Sequence, residues 1–322
     1  MKSQTLVLPP ILGCLKSVEE YLAKNHPESV KVSWTPTSDI QKEFAGRFLT
    51  WETGICNISD ILHSISHHDP KVINAWLKEK GYDIRLREDG NDSFCVASVM
   101  DMLMEWVEPG KETTVTRDGK NYPAVSLNKD SDAYVINGDG KTEVLKVPAK
   151  GGETVIMWMI DKEPVGPLGI ADIVARMPSN LSKDDSYSKF VFPMIDINDT
   201  PDISWLCGMR TGEHAGAWYI SQAVQQTRFR MNERGARAQS AAAMMMSRGL
   251  TLNSKTFVID RPFMLLVERP DVDIPLFAGV FAEDSWKKPA DIYDGKPPRK
   301  DVHLGYTIGH HIAELDRLGL IE

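Results

Sequence analysis

The sequence predicts an α+β protein whose strands and helices follow one another in irregular order. Three observations carry this. Short apolar segments at 134–136, 143–147, 154–160 and 191–197 read as strands between Gly- and Pro-containing turns. Segments 263–267 and 275–281 are apolar without alternation, as in strands covered on both faces or lying in a sandwich core. Helical periodicity is confined to short stretches and does not alternate with the strands as a doubly wound sheet requires.

In chain order, residues 1–14 (MKSQTLVLPPILGC) combine one lysine, a short apolar run and Gly13-Cys14. Pro9 and Pro10 break the run, which argues against a lipoprotein leader. Residues 17–24 read as a helix capped by Ser17, and 58–66 as a short helix. Asp69-Pro70 opens a helix with proline in its first turn. Val72, Ile73, Trp76 and Leu77 then share one face, and Gly81 ends it. Residues 94–106 are almost continuously apolar and fit either a strand or a buried helix. The Asn137-Gly138-Asp139-Gly140 stretch reads as a hairpin turn. Residues 169–177 form a short amphipathic helix. Pro193 interrupts the pairing of 191–197 or places it at an edge. From Thr227 the pattern is strand, loop, strand, strand. After Ala282 the chain turns polar and Pro-rich, with a terminal helix near 310–318. The expected division is therefore one domain over 1–283 and a C-terminal extension over 284–322 that docks onto it.

Composition narrows the function. A chain of 322 residues with 42% hydrophobic and 25% charged residues is an ordinary soluble globular protein. A net charge of −8 argues against a nucleic-acid partner. No apolar run approaches the roughly 20 residues a membrane span needs. Cys14, Cys56, Cys95 and Cys207 form no CxxC pair and read as separate thiols, which favours an intracellular setting. The four N-x-S/T matches, at Asn57, Asn91, Asn180 and Asn198, read as chance. The G-x-S-x-G, P-loop and H-E-x-x-H patterns are all missing. His67-His68 and His310-His311 are adjacent pairs that point apart on a helix. Met244-Met245-Met246 reads as a flexible apolar tip rather than a soft-metal site. No metal, no cofactor and no enzyme activity are expected.

The segment between the strand at 227–231 and the strand at 263–267 is the distinctive one. After Asn232-Glu233-Arg234-Gly235 comes a run of small residues, 236–243, and then a basic, polar tip at Ser247, Arg248 and Gly249. Ala236, Ala238, Ser240 and Ala242 share one parity, and all are small. The other parity holds Arg237 and Gln239. On propensity alone this stretch would also make a helix.

These residues resemble the serpin family. Residues 256–267 (TFVIDRPFMLLV) are similar to its C-terminal signature, and Leu276-Phe277-Ala278-Gly279 to the strand after it. Residues 220–235 resemble the strand that leads into the family's reactive-centre loop, with 236–243 at its hinge. Weaker similarities run upstream: 73–81 to the helix that crosses the main sheet, 98–106 to the central strand ending in Trp, 147–160 to paired strands around a Lys-Gly-Gly turn, and 190–208 to a Phe-Pro strand and following helix. The resemblance implies a large main β-sheet, additional sheets that include the C-terminal apolar strands, and surrounding helices. It also implies a protease inhibitor. A protease cleaves the exposed loop, the hinge enters the main sheet as an added strand, and the acyl-enzyme is trapped. The implied hinge is Glu233, Gly235, Ala236, Ala238, Ser240 and Ala242. The implied scissile bond is Arg248–Gly249, which suits a trypsin-like serine protease, with a cysteine protease as the other target class. The alternative is a serpin-like binding or structural protein that inhibits nothing. The chain departs from the family pattern in a shortened N-terminal part (1–67), in the length that follows Ala282, and at two positions. Gln225 stands where many members have His, and Ser98 where many have its Asn partner.

Overall fold

A computed structural model describes residues 1–25, 33–49, 58, 60–87, 95–100, 102, 104–137, 142–177, 181–211, 218–236 and 255–289. The first half contains β1 (Gln4–Leu6), α1 (Leu8–Asn25), α2 (Asp39–Phe48), β2 (Leu62–His67), α3 (Pro70–Glu79), β3 (Cys95–Met100), β4 (Met104–Glu105), β5 (Lys111–Arg117), β6 (Lys120–Asn128), β7 (Tyr134–Asn137), β8 (Glu143–Pro148) and β9 (Thr154–Met159). The second half contains α4 (Gly169–Ala175), β10 (Ser182–Asp184), β11 (Tyr187–Pro193), β12 (Ile195–Asp199), β13 (Thr227–Met231), β14 (Gly235–Ala236), β15 (Lys255–Val258), β16 (Phe263–Glu268) and β17 (Phe277–Phe281).

The class is α+β. A seven-stranded antiparallel sheet runs in the order β1-β17-β16-β9-β8-β7-β10. A second sheet has the order β15-β11-β6-β5, and three two-stranded ribbons pair β12 with β13, β14 with β4, and β2 with β3. The unalternating apolar strands lie inside the large sheet, where every residue of β17 is buried. Phe229 of β13 stacks on Phe277 of β17 with ring centroids 4.4 Å apart, so an aromatic pair joins the β12–β13 ribbon to that sheet. Such a pair adds about 0.5–1.5 kcal/mol beyond area burial.

Several expectations hold and others need correction. Helix α3 forms as its pattern requires: Asp69 caps it by accepting from the Lys71 amide, and Val72, Ile73, Trp76 and Leu77 are buried. Strands β7, β8 and β9 and helix α4 lie where their patterns place them. Pro193 ends β11, and pairing resumes in a different ribbon at Ile195. The expected helix at 17–24 is a correction. Helix α1 spans Leu8–Asn25, so Ser17 lies inside it. Pro9 and Pro10 sit in its first turn, where an absent N–H loses no helical bond. Leu8, Ile11, Leu12 and Leu15 make its buried stripe. The expected helix at 58–66 is a second correction. Residues 62–67 form β2, paired residue for residue with β3, because a strand partner satisfies the backbone of β3. Within 94–106 the described residues form two strands, β3 and β4, and no helix. The β5–β6 hairpin escaped the sequence reading, although Asp118-Gly119 supplies two successive positive φ angles, 48° and 74°, suited to its turn.

The β2–β3 ribbon carries the site. Its two faces are covered by different helices. Ile65, Ala97 and Val99 pack against Val72, Ile73, Trp76 and Leu77 of α3. Ser64 and Ser98 point to the opposite face, toward Gly13 of α1. A Cβ on Gly13 would come 2.8 Å from Ser98 Oγ, so glycine sets how closely α1 approaches.

Candidate functional site: a hinge beside an open sheet edge

The chain leaves β13 at Met231 and reverses at once. The Asn232 amide donates to the Gly235 carbonyl at 2.9 Å, and the Gly235 amide returns to the Asn232 carbonyl at 3.3 Å. This closes a two-residue turn at Glu233-Arg234. The Asn232 side chain steadies it by accepting from the Arg234 amide at 2.9 Å. All three carbonyls of the turn are occupied. Trp106 Nε1 donates to the Asn232 carbonyl at 3.0 Å. The Gly110 amide donates to that of Glu233 at 2.6 Å, and the Trp106 amide to that of Arg234 at 3.1 Å. Trp106 itself is fully buried and meets Phe192 edge-on. The turn is therefore anchored, not draped.

Past the turn, Gly235 pairs with Glu105 and Ala236 with Met104, antiparallel. Gly235 has φ +151°, and a Cβ there would collide with the Met104 carbonyl oxygen. Only glycine meets both demands. Glu233 is largely buried, with Oε1 3.5 Å from Arg234 Nε and no hydrogen-bond partner for Oε2.

Beyond this junction, among the described residues, no strand joins β3 to β13. Strand β3 is paired on one edge by β2, and β13 on one edge by β12. Between residues 95–100 and 218–228 lies a cavity of about 430 Å³, bounded also by α1, by Leu77 and by Tyr82. The wall formed by 219–228 is held from outside. Gln222 Oε1 accepts from the Arg87 amide at 2.9 Å. Gln226 Oε1 accepts from the Asp83 and Ile84 amides at 2.7 and 3.2 Å. Arg228 pairs with Asp83 at 2.8 Å.

Inside the cavity wall, Gln225 Nε2 donates to the Val7 carbonyl at 2.7 Å, and its Oε1 has no partner. Ser98 Oγ is bound to Ser64 Oγ at 3.0 Å. The two positions singled out in sequence thus line one cavity without bonding to each other. Cys14, on α1, turns its remaining surface to the same cavity. Removal from bulk water pushes its thiol up to about 12, partly offset by a backbone hydrogen bond at Ser98.

Of the expected hinge, Glu233, Gly235 and Ala236 fall in this junction. Ala238, Ser240, Ala242 and the Arg248–Gly249 bond lie outside the described residues. Sequence reasoning missed the docking of the turn on Trp106 and the glutamine clamps, since nothing local marks a buried tryptophan as a carbonyl's partner. Cys14, Cys95 and Cys207 are thiols. Among the described residues no group of three His, Cys, Asp or Glu could hold a metal, and no helix is long and apolar enough to cross a membrane.

The family model of the serpins, serine protease inhibitors, matches residues 196–283. That match includes β13, the turn at 232–235 and the strands β16 and β17. No curated protein sequence matches the chain. Among solved structures, uncleaved ovalbumin is similar in fold: TM-score 0.51 and 13% identity over 86% of this chain and 92% of that one. Serpin48 of the insect Tenebrio molitor shares 18% identity over 66% of this chain, with a TM-score of 0.43, and this chain spans 63% of its length. Thyroxine-binding globulin in complex with thyroxine shares 16% identity over 89% of this chain and 94% of that one, with a TM-score of 0.48.

Proposed function

As this chain is a divergent member of the serpin family, we propose that it inhibits a protease through a cleavable loop that inserts into its own sheet. The observation that carries the reading is the position of β14. The hinge has already reversed, and Gly235 and Ala236 already pair antiparallel with β4. Residues added to β14 in the same direction would run into the cavity between β3 and the 219–228 segment, where the edge of β3 away from β2 would give them hydrogen bonds. Ala236 lies opposite Met104 on the face turned to the main core, so Ala238, Ser240 and Ala242, small like it, would continue at the parity that is buried there, on the side away from α3. Arg237 and Gln239 face the other way.

The bait is the Arg248–Gly249 bond, and the target a trypsin-like serine protease. The protease serine attacks the Arg248 carbonyl, an ester replaces the peptide bond, and the Gly249 amine leaves with a proton. Insertion of the freed hinge then carries the esterified protease away before water hydrolyses the ester. Incubation with a trypsin-like protease tests this. The expected products are a complex that survives SDS and a cleaved form with a sharply raised melting temperature. Cleavage with neither complex nor stabilisation would sink the reading.

A second reading is a serpin-like binding protein without a trap. It is favoured by Gln225, whose amide is committed to the carbonyl of Val7, just before α1, and leaves Ser98 to Ser64.

A further inference from the structure

The second sheet ends in an unpaired edge, close to the last described residues of the chain. Strand β5 is its outermost strand, and among the described residues no strand pairs with its outer side. Glu112, Thr114 and Thr116 are exposed, while Val115 is buried. After β17 the chain passes along this strand. Glu283 pairs with Arg117 at 2.6 Å, and Lys288 pairs with Glu112 at 2.6 Å. Between them Trp286 meets Tyr122 edge-on, with ring centroids 5.3 Å apart. Tyr122 lies opposite Val115 in the β5–β6 hairpin, so the two share a face. Residues 283–288 thus run antiparallel to β5 across the face that buries Val115, without joining the sheet.

An unpaired edge presents a row of N–H and C=O groups that another strand can occupy. The remainder of this chain carries a matching segment. Val302, Leu304, Tyr306 and Ile308 alternate with His303, Gly305 and Thr307. That is the period of a strand with one apolar face. The connection is long enough. Residues 290–301, twelve in number, span up to about 40 Å when extended, against about 23 Å for the seven residues of β5. Gly295, Pro297 and Pro298 lie within it and suit a reversal.

We propose that residues 302–308 of this same chain add to the second sheet as a fifth strand along β5. Their apolar side chains continue the face of Val115, beside Trp286, and the intervening ones continue the exposed face of Thr114 and Thr116. The chain's own tail then occupies an edge that would otherwise be open to a second copy. The contact needs no cleavage of the loop, so its failure and the failure of the inhibitory reading are separate results.

Hydrogen exchange of the full chain is the test. The β5 amides that do not bond to β6 are protected in wild type. Leu304→Pro combined with Gly305→Pro removes two adjacent N–H groups, one of which points at β5 whatever the register. In that variant exchange at the outer β5 amides rises roughly tenfold or more, while exchange in β16 stays as in wild type. Lys296→Pro, in the connection, changes neither. If the double variant also loosens β16, removal of residues 302–322 decides by the same comparison. Equal exchange at the outer β5 amides with and without the segment overturns the proposal. Protection that vanishes on dilution overturns it as well, because the occupant is then a second copy.

Discussion

Gly235 lies against the Met104 carbonyl so closely that no side chain fits between them. This one approach fixes where the chain leaves the turn and begins to pair. Gly235→Ala must move the backbone and also hold alanine at a strained φ. Strain of this kind costs about 1–3 kcal/mol. Urea unfolding should show a loss in that range and the yield of protease complex should fall. Wild-type stability and yield in the variant would mean that β14 is not docked as described.

Parity in the hinge gives a sharper contrast. Ala238→Arg and Ser240→Glu should convert the protein from inhibitor to substrate, because at the parity of Ala236 a large charged group would have to be buried against the main core. Arg237→Glu and Gln239→Lys should leave the stoichiometry of inhibition near that of wild type. Equal behaviour of the two sets in a titration against a trypsin-like protease would refute insertion at this parity.

Arg248→Ala should abolish reaction with a trypsin-like protease while leaving the melting temperature unchanged. N-terminal sequencing of the cleaved wild-type chain should begin at Gly249. A first residue elsewhere would relocate the scissile bond.

Trp106 pins the turn from the other side through its indole N–H and the Asn232 carbonyl. Trp106→Phe keeps most of the buried ring and removes that bond, so a loss of roughly 1 kcal/mol is expected, together with space left by the smaller ring. Hydrogen exchange at Arg234 and Gly235 should quicken more than exchange in β16. A uniform change would show that Trp106 only fills the core.

Cys14 makes the stability depend on pH at the alkaline end. Its folded-state value, about 12, stands above its ordinary 9.0. The unfolded chain therefore loses the proton first. The contribution is complete below about pH 9 and is lost as pH rises toward 12. Melting curves from pH 8 to 11 should fall less steeply in Cys14→Ala than in wild type. Parallel curves would mean that the thiol is solvated in the folded state.

Reading the strands from sequence worked where the signal was local. The Phe263–Glu268 and Phe277–Phe281 strands are apolar at almost every position, and helix α3 carries its own cap, stripe and stop. It failed where partners at a distance decided the outcome. Residues 62–67 contain no strong strand former besides Ile65, and β3 makes them a strand. The start of α1 was obscured because two prolines in a first turn look like a breaker until the buried stripe behind them is seen.

By itself the sequence determined the class of fold, the serpin-like stretch from β13 to β17, and a run of small residues at one parity after Gly235. Those properties are written in neighbouring residues, in their size, period and turn chemistry. Only the tertiary structure decided that Gly235 meets Met104, that Trp106 holds the turn, and that Gln225 bonds to Val7. Each of these joins groups far apart along the chain, and their energies come from close packing and from paired or unpaired polar atoms. No local pattern encodes such terms.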